Sequence, residues 1–265
     1  MSDRTCFIGC SYTAGTGFDL EHNDPDFWPV ILHNRIPQLC STEYVNLGIS
    51  GASNEIIFST ATNAILDYKP KYVFVQWSGY PRLHVLLGIE TYPCTQMFSW
   101  DAKLTDHNLH TVNYSAEYLT GIRDRFLSLE HPHNQIKNIV YYTNTLIKLA
   151  TQFNCKIFFI NGLCAWDQDY FVKQTDVLPS QYTRCTQKFL NVDTRDDKEV
   201  FILYNKIHTD YQQHGGIQQS YWLNLYNSLM HNKIDVNQDN RHPGKQSNLL
   251  FFDLLSQPLL SKLSS

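Results

Sequence analysis

Charge is scarce in this chain and nearly balanced. Asp, Glu, Lys and Arg together make up 17% of the residues, net charge is −4 and the pI is near 6.2. With no broad basic surplus to hold a phosphate backbone, nucleic-acid binding by electrostatics is disfavoured. No C-x-x-C pair occurs among the seven cysteines, Cys6, Cys10, Cys40, Cys94, Cys155, Cys164 and Cys185. The odd count and the spacing argue against a disulfide framework or a zinc site and for a reducing compartment. Cys6, Cys10, Cys155 and Cys164 lie in or beside apolar runs, where cysteine behaves as a small hydrophobe. His107 with His110, and His131 with His133, have spacings that could hold a metal. Neither pair has a cysteine or paired acidic motif beside it, so they read as exposed loop histidines, and neither metal nor cofactor is expected. No apolar run is long enough to span a bilayer, and Met1-Ser2-Asp3-Arg4 leads straight into a strand pattern without a signal peptide. The expectation is a cytoplasmic protein; a phage or virion component would read the same way. No internal repeat, low-complexity tract or linker interrupts the pattern, so residues 1–265 are expected to form a single domain.

What is present suits a globular chain. Hydrophobic residues are 43% and aromatic residues 14% of a 265-residue chain, enough for a sizeable core. Four apolar runs read as buried parallel strands: Thr5 to Cys10, Tyr44 to Leu47, Tyr72 to Val75 and Lys156 to Ile160. Helical spacing appears between them, over Pro25 to Ile36, Asn54 to Leu66 and Gln135 to Phe153, and again from Leu249 to Leu255, where Pro258 is expected to end or bend the helix. Alternating strands and helices predict an α/β sandwich with a parallel sheet. The less regular stretches at about 91–132 and 163–237 read as insertions beside the site, and specificity would reside there.

Ligands of such sheets bind beyond the carboxyl ends of the strands. Ser11, Gly51 and Ser78 all fall at such ends. Ser11 sits on a small-residue turn, Gly9-Cys10-Ser11-Tyr12-Thr13-Ala14-Gly15, directly after the first strand. The far end of the chain carries Asp239-Asn240-Arg241-His242-Pro243-Gly244. A serine hydroxyl needs a base within about 3 Å to act as a nucleophile, and an imidazole titrates near neutrality. A carboxylate three residues before the histidine can hold its other ring nitrogen. Ser11, His242 and Asp239 are therefore the candidate nucleophile, base and orienting acid, with Asp235 and Asp253 competing for the last role.

These segments resemble the conserved blocks of the GDSL/SGNH hydrolases. Gly9-Cys10-Ser11, with Gly15 shortly after, is similar to the first block, with cysteine in place of its usual aspartate. Asn46-Leu47-Gly48-Ile49-Ser50-Gly51-Ala52-Ser53-Asn54 is similar to the second, and Asp239-x-x-His242 with Pro243-Gly244 to the last. Phe27-Trp28-Pro29 through Leu32 resembles the helix that often follows the first block. The third block departs: Gln76-Trp77-Ser78-Gly79-Tyr80-Pro81-Arg82 holds no asparagine where the family's Gly-x-Asn-Asp helps to bind the oxyanion. The resemblance implies a three-layer α/β/α sandwich with a central parallel sheet, of the flavodoxin-like kind. It implies a serine esterase or acyl hydrolase working through an acyl-enzyme, with an oxyanion hole formed by Ser11, Gly51 and Ser78. Tyr80 and Arg82 are further replacement donors, and with Asn54 they are the substrate-binding candidates. The substrate would be a small-molecule, carbohydrate or lipid ester, such as an O-acetyl or short acyl ester. Two other readings stand beside this one: an acyltransferase on the same scaffold, and a binding module that kept the fold without the activity.

Overall fold

A computed structural model describes residues 2–18, 21–78, 82–86, 95–99, 132–161, 235–236 and 242–263. Four strands form a parallel sheet: β1 (Ser2–Ile8), β2 (Glu43–Asn46), β3 (Pro70–Trp77) and β6 (Lys156–Asn161), in the order β2-β1-β3-β6. A separate antiparallel pair joins β4 (Arg82–Leu86) to β5 (Thr95–Ser99). The helices are α1 (Ser11–Ala14), α2 (Trp28–Arg35), α3 (Pro37–Cys40), α4 (Asn54–Tyr68), α5 (Pro132–Gln152) and α6 (Lys245–Leu263).

Register explains the layers. Phe7 of β1 pairs with Phe74 of β3, and Phe74 with Phe158 of β6, so their rings stack across one face of the sheet. Trp28 of α2 meets that row edge-on at Phe7, and Phe251 of α6 meets Trp28 in turn. Successive strand side chains point to opposite faces. Trp77 and Phe159 accordingly stack on the other face, where Tyr142 of α5 and Phe58 of α4 close over them. The sheet lies between α2 and α6 on one side and α4 and α5 on the other, which is the three-layer α/β/α sandwich expected.

Local chemistry sets the helix ends. Ile36 precedes Pro37, which disfavours helical backbone, and α2 stops there with Ile36 extended. Ser53 caps α4 by accepting from the Ile56 N–H at 3.5 Å, and α4 ends at Lys69 in the left-handed region, one residue before Pro70. Cys6, Cys10 and Cys155 are buried as expected of small hydrophobes, while Cys40 is exposed. Desolvation pushes the Cys6 thiol up to about 12, so it stays neutral and inert.

Two expectations are revised. The first strand ends at Ile8, not at Cys10. The Cys10 carbonyl accepts from the Thr13 and Ala14 N–H groups at 2.8 and 2.9 Å, so the backbone has already turned helical at Ser11. Pro258 does not end the last helix, which runs on to Leu263. An interior proline costs about 3 kcal/mol. Phe251, Phe252, Leu255, Leu259 and Leu263 are all buried along α6, and at about 1.5–3 kcal/mol each they outweigh it. The 91–132 and 163–237 stretches fall almost wholly outside the described residues. Within them Thr95–Ser99 forms a strand and Asp235–Val236 approaches α6.

Gly48 shows how tightly the layers meet at the sheet's carboxyl edge. A Cβ there would lie 2.5 Å from the Ala14 nitrogen and 2.6 Å from the Thr13 carbonyl carbon. Both are backbone atoms and cannot swing away. Gly48→Ala is expected to destabilise the fold by roughly 1–3 kcal/mol, as overpacking does. A melting temperature equal to that of the parent would refute this close approach.

Candidate active site

The sheet order puts the carboxyl ends of β2, β1 and β3 side by side, and the segments that follow them are stitched together by hydrogen bonds. Ser11 opens the single turn of α1, so its backbone N–H is among the first-turn donors that no helix can satisfy internally. Its side chain is buried. The turn is held on several sides. Thr13 donates its hydroxyl to the Gln76 side-chain oxygen on β3. Asn46, at the end of β2, donates to the Thr13 carbonyl at 2.7 Å and accepts from the Gly48 N–H at 2.9 Å. The Ile49 N–H reaches the Gly9 carbonyl at 3.0 Å, which lays the second segment against the first.

Gly51 follows in this second segment with φ of 76°, a left-handed conformation that glycine adopts without the Cβ penalty. Asn54 opens α4 and reaches the third segment. Its Oδ1 accepts from the Ser78 N–H at 2.8 Å and its Nδ2 donates to the Ser78 carbonyl at 3.2 Å. Both ends of the Asn54 amide are therefore engaged by protein backbone, and the residue is 2% exposed. Ser78 is equally buried, yet its hydroxyl has no partner among the described residues. The Gln76 side-chain nitrogen, two residues earlier near the end of β3, is also without one.

The histidine arrives from the other end of the chain. His242 is half-buried, and its ring centroid lies 5.2 Å from that of Tyr12, the residue after Ser11. The loop that carries it is tied down by Asp235. Both carboxylate oxygens of Asp235 cap the start of α6, accepting from the Gln246 and Ser247 N–H groups at 2.9 Å each and from the Ser247 hydroxyl at 2.5 Å. Its carbonyl accepts from the Gly244 N–H at 3.4 Å, and Val236 bridges Pro243. Asp253 lies further along α6 and is exposed.

The structure thus brings Ser11, Gly51, Asn54, Ser78 and His242 to one edge of the sheet. Asp239 and Tyr80 lie outside the described residues, and Arg82 is described only as the first residue of β4. His107, His110 and His131 are likewise outside, and of His133 only its place in α5 is described. Among the described residues no cluster of three or more His, Cys, Asp or Glu could hold a metal ion, and no helix is long and apolar enough to cross a membrane. Sequence reading missed Asn46, Gln76 and the capping role of Asp235. Asn46 stood in a recognisable Asn-Leu-Gly run. Asp235 acts on backbone 11 and 12 residues away and left no local signal.

No family model matches the chain, and no curated protein matches it in sequence. Solved structures do. The psychrotrophic esterase EstA from Pseudoalteromonas sp., in a form inhibited by monoethylphosphonate, is 11% identical with a TM-score of 0.51, and the match covers 100% of both chains. TesA is 11% identical over 97% of each chain with a TM-score of 0.48. Axe2, an acetylxylan esterase from Geobacillus stearothermophilus, is 12% identical over 98% of this chain and 94% of its own, with a TM-score of 0.46. At these identities the EstA likeness shows a shared fold.

The Asp235 cap has a measurable consequence. Asp235→Ala is expected to lower stability by about 0.5–2 kcal/mol, the worth of a lost N-cap. Asp235→Asn, which keeps one acceptor oxygen, is expected to recover part of it. Chemical denaturation of the three proteins checks the order; equal midpoints would remove Asp235 from this role.

Proposed function

We propose that this protein is a serine esterase or acyl hydrolase that cleaves an ester of a small molecule, carbohydrate or lipid, such as an O-acetyl or short acyl ester. The observation that carries the reading is the packing of the His242 ring against Tyr12, directly beside Ser11. It joins a serine on a strand-end turn to a histidine from the far end of the chain, on a fold shared with an esterase inhibited by a phosphonate.

In this reading His242 removes the proton from the Ser11 hydroxyl as its oxygen attacks the ester carbonyl. Asp239 orients the imidazole and stabilises its protonated form. Asp235 is committed to the α6 cap and Asp253 is exposed, which supports Asp239 over these two competitors. The imidazolium then protonates the leaving alcohol, and an acyl-enzyme remains on Ser11. Water, deprotonated by the same imidazole, releases the acid and restores the hydroxyl. The oxyanion is held by the Ser11 and Gly51 N–H groups and by the Ser78 hydroxyl. Ser78 would replace the third-block asparagine, because it is a buried donor without a partner among the described residues and is fixed at its backbone by Asn54. Tyr80 and Arg82 would contact the substrate from the segment that follows.

A short-chain nitrophenyl ester and a serine-directed fluorophosphonate test the reading on the intact protein. Hydrolysis and labelling are expected, and Ser11→Ala should abolish both. Ser78→Ala is expected to lower kcat by about 10²–10³, the usual effect of losing one oxyanion donor, with KM little changed. A parent protein that neither hydrolyses the ester nor takes the label would leave a binding module. Faster acyl transfer to an added alcohol than to water would make it an acyltransferase.

A further inference from the structure

We propose that Trp28 and Asn248 form a positioning bridge that sets the distance between the serine turn and the histidine loop. The proposal rests on the Ser11–His242 reading above. Trp28 is the first residue of α2, and the residue before it, Phe27, contributes no side-chain cap. The Trp28 backbone N–H therefore needs an acceptor from elsewhere. Asn248 of α6, 220 positions away, supplies it: its Oδ1 accepts from the Trp28 N–H at 3.2 Å. The other end of the same amide faces the histidine loop. Its Nδ2 donates to the carbonyls of Pro243 at 3.2 Å and Gly244 at 2.9 Å, the two residues that follow His242.

Trp28 completes the connection with its side chain. The indole N–H donates to the Tyr12 carbonyl at 2.7 Å, one residue past Ser11. A single tryptophan thus holds the serine turn with its ring and the histidine loop, through Asn248, with its backbone. Both residues are 1% exposed, so water does not compete for these bonds.

The chemistry of the groups fixes the orientation. The Trp28 N–H can only donate, and the two loop carbonyls can only accept. A reversed Asn248 amide would set donor against donor and acceptor against acceptor. The bridge therefore has one arrangement, and that suits a catalytic spacing. The His242 and Tyr12 rings, 5.2 Å apart, mark the place where the two held segments meet. Packing alone does not account for it. Trp28 touches Phe7 and Phe251 edge-on through its ring, and phenylalanine would keep both contacts while losing the indole N–H.

Trp28→Phe and Asn248→Ala, made in the full 265-residue chain, test the bridge. A displacement of about 1 Å between reacting groups can cost 10²-fold, so each variant is expected to lose about tenfold or more in kcat while KM stays within about twofold. Phe251→Leu weakens the packing around Trp28 without touching the bonds. It should lower the melting temperature and leave kcat at the parent level. Folded Trp28→Phe and Asn248→Ala proteins with parental kcat would overturn the bridge and leave the esterase reading intact. A parent protein without hydrolysis or Ser11 labelling would overturn that reading instead. The bridge is then judged by NMR on the parent, which also serves if the variants fail to fold. A slowly exchanging Trp28 indole proton together with a Tyr12–His242 ring contact supports it, and a rapidly exchanging indole proton rejects it.

Discussion

A four-residue helix cannot hold a side chain in place by itself. Isolated helices of this length do not persist in water, because nucleation costs more than one turn of hydrogen bonds returns. The turn that carries Ser11 is such a helix, and everything around it supplies the missing order. Thr13 reaches β3 through Gln76, its carbonyl is taken by Asn46 of β2, and the Tyr12 carbonyl is taken by Trp28 of α2. Gly48 lets the second segment pass directly beneath, where any side chain would strike backbone. Three neighbouring strands and one helix are needed to hold one serine, so the site depends on the whole parallel sheet being in register.

The same dependence explains why the chain must return so far. The histidine loop belongs to α6, which packs on the face of the sheet that α2 covers. The exposed Lys245–Asp26 ion pair also joins these regions, at 2.6 Å, but such a pair contributes only about 0–1 kcal/mol. Burial of the apolar residues of α6 contributes far more, enough to carry the helix on past Pro258. Apolar burial has no directional preference, so it brings the helix home without aiming its first turn. Aim requires directional bonds, and the bonds at the start of α6 come from Asp235 and Asn248.

Much of the fold was legible because its signals are local. Four apolar runs bounded by small residues marked the four strands of the main sheet, and the 3.6-residue spacing of Ile57, Ala61, Ala64 and Ile65 marked the buried face of α4. The strand order was not legible, since it depends on pairings between distant segments. The end of the first strand was misplaced by two residues because Gly9 and Cys10 suit a strand end and a turn equally well. Pro258 does not end the helix because that local rule is outweighed by long-range packing. At the site, only candidate residues could be named from order and spacing, and of these Ser11, Gly51, Asn54, Ser78 and His242 come to one edge of the sheet. The residues that hold them, Asn46, Gln76 and Asp235, make their bonds across the fold and carry no signature of their own.

The departures from the family pattern become intelligible once the buried polar groups are accounted for. A buried donor without a partner costs about 1–3 kcal/mol, and native folds rarely leave several together. Here the Ser78 hydroxyl and the Gln76 side-chain nitrogen lie two residues apart at the end of β3, buried and without partners among the described residues. Asn54 meanwhile spends its amide on the Ser78 backbone, where a simple turn would have left both groups to water. Fixing the backbone of Ser78 while leaving its hydroxyl unpaired makes sense if something other than the protein is meant to meet that hydroxyl. A donor held this way needs little reorganisation when negative charge develops in front of it, which is the property that makes oxyanion stabilisation effective. The amide that opens α4 thus fixes the Ser78 backbone and leaves the hydroxyl without a partner among the described residues.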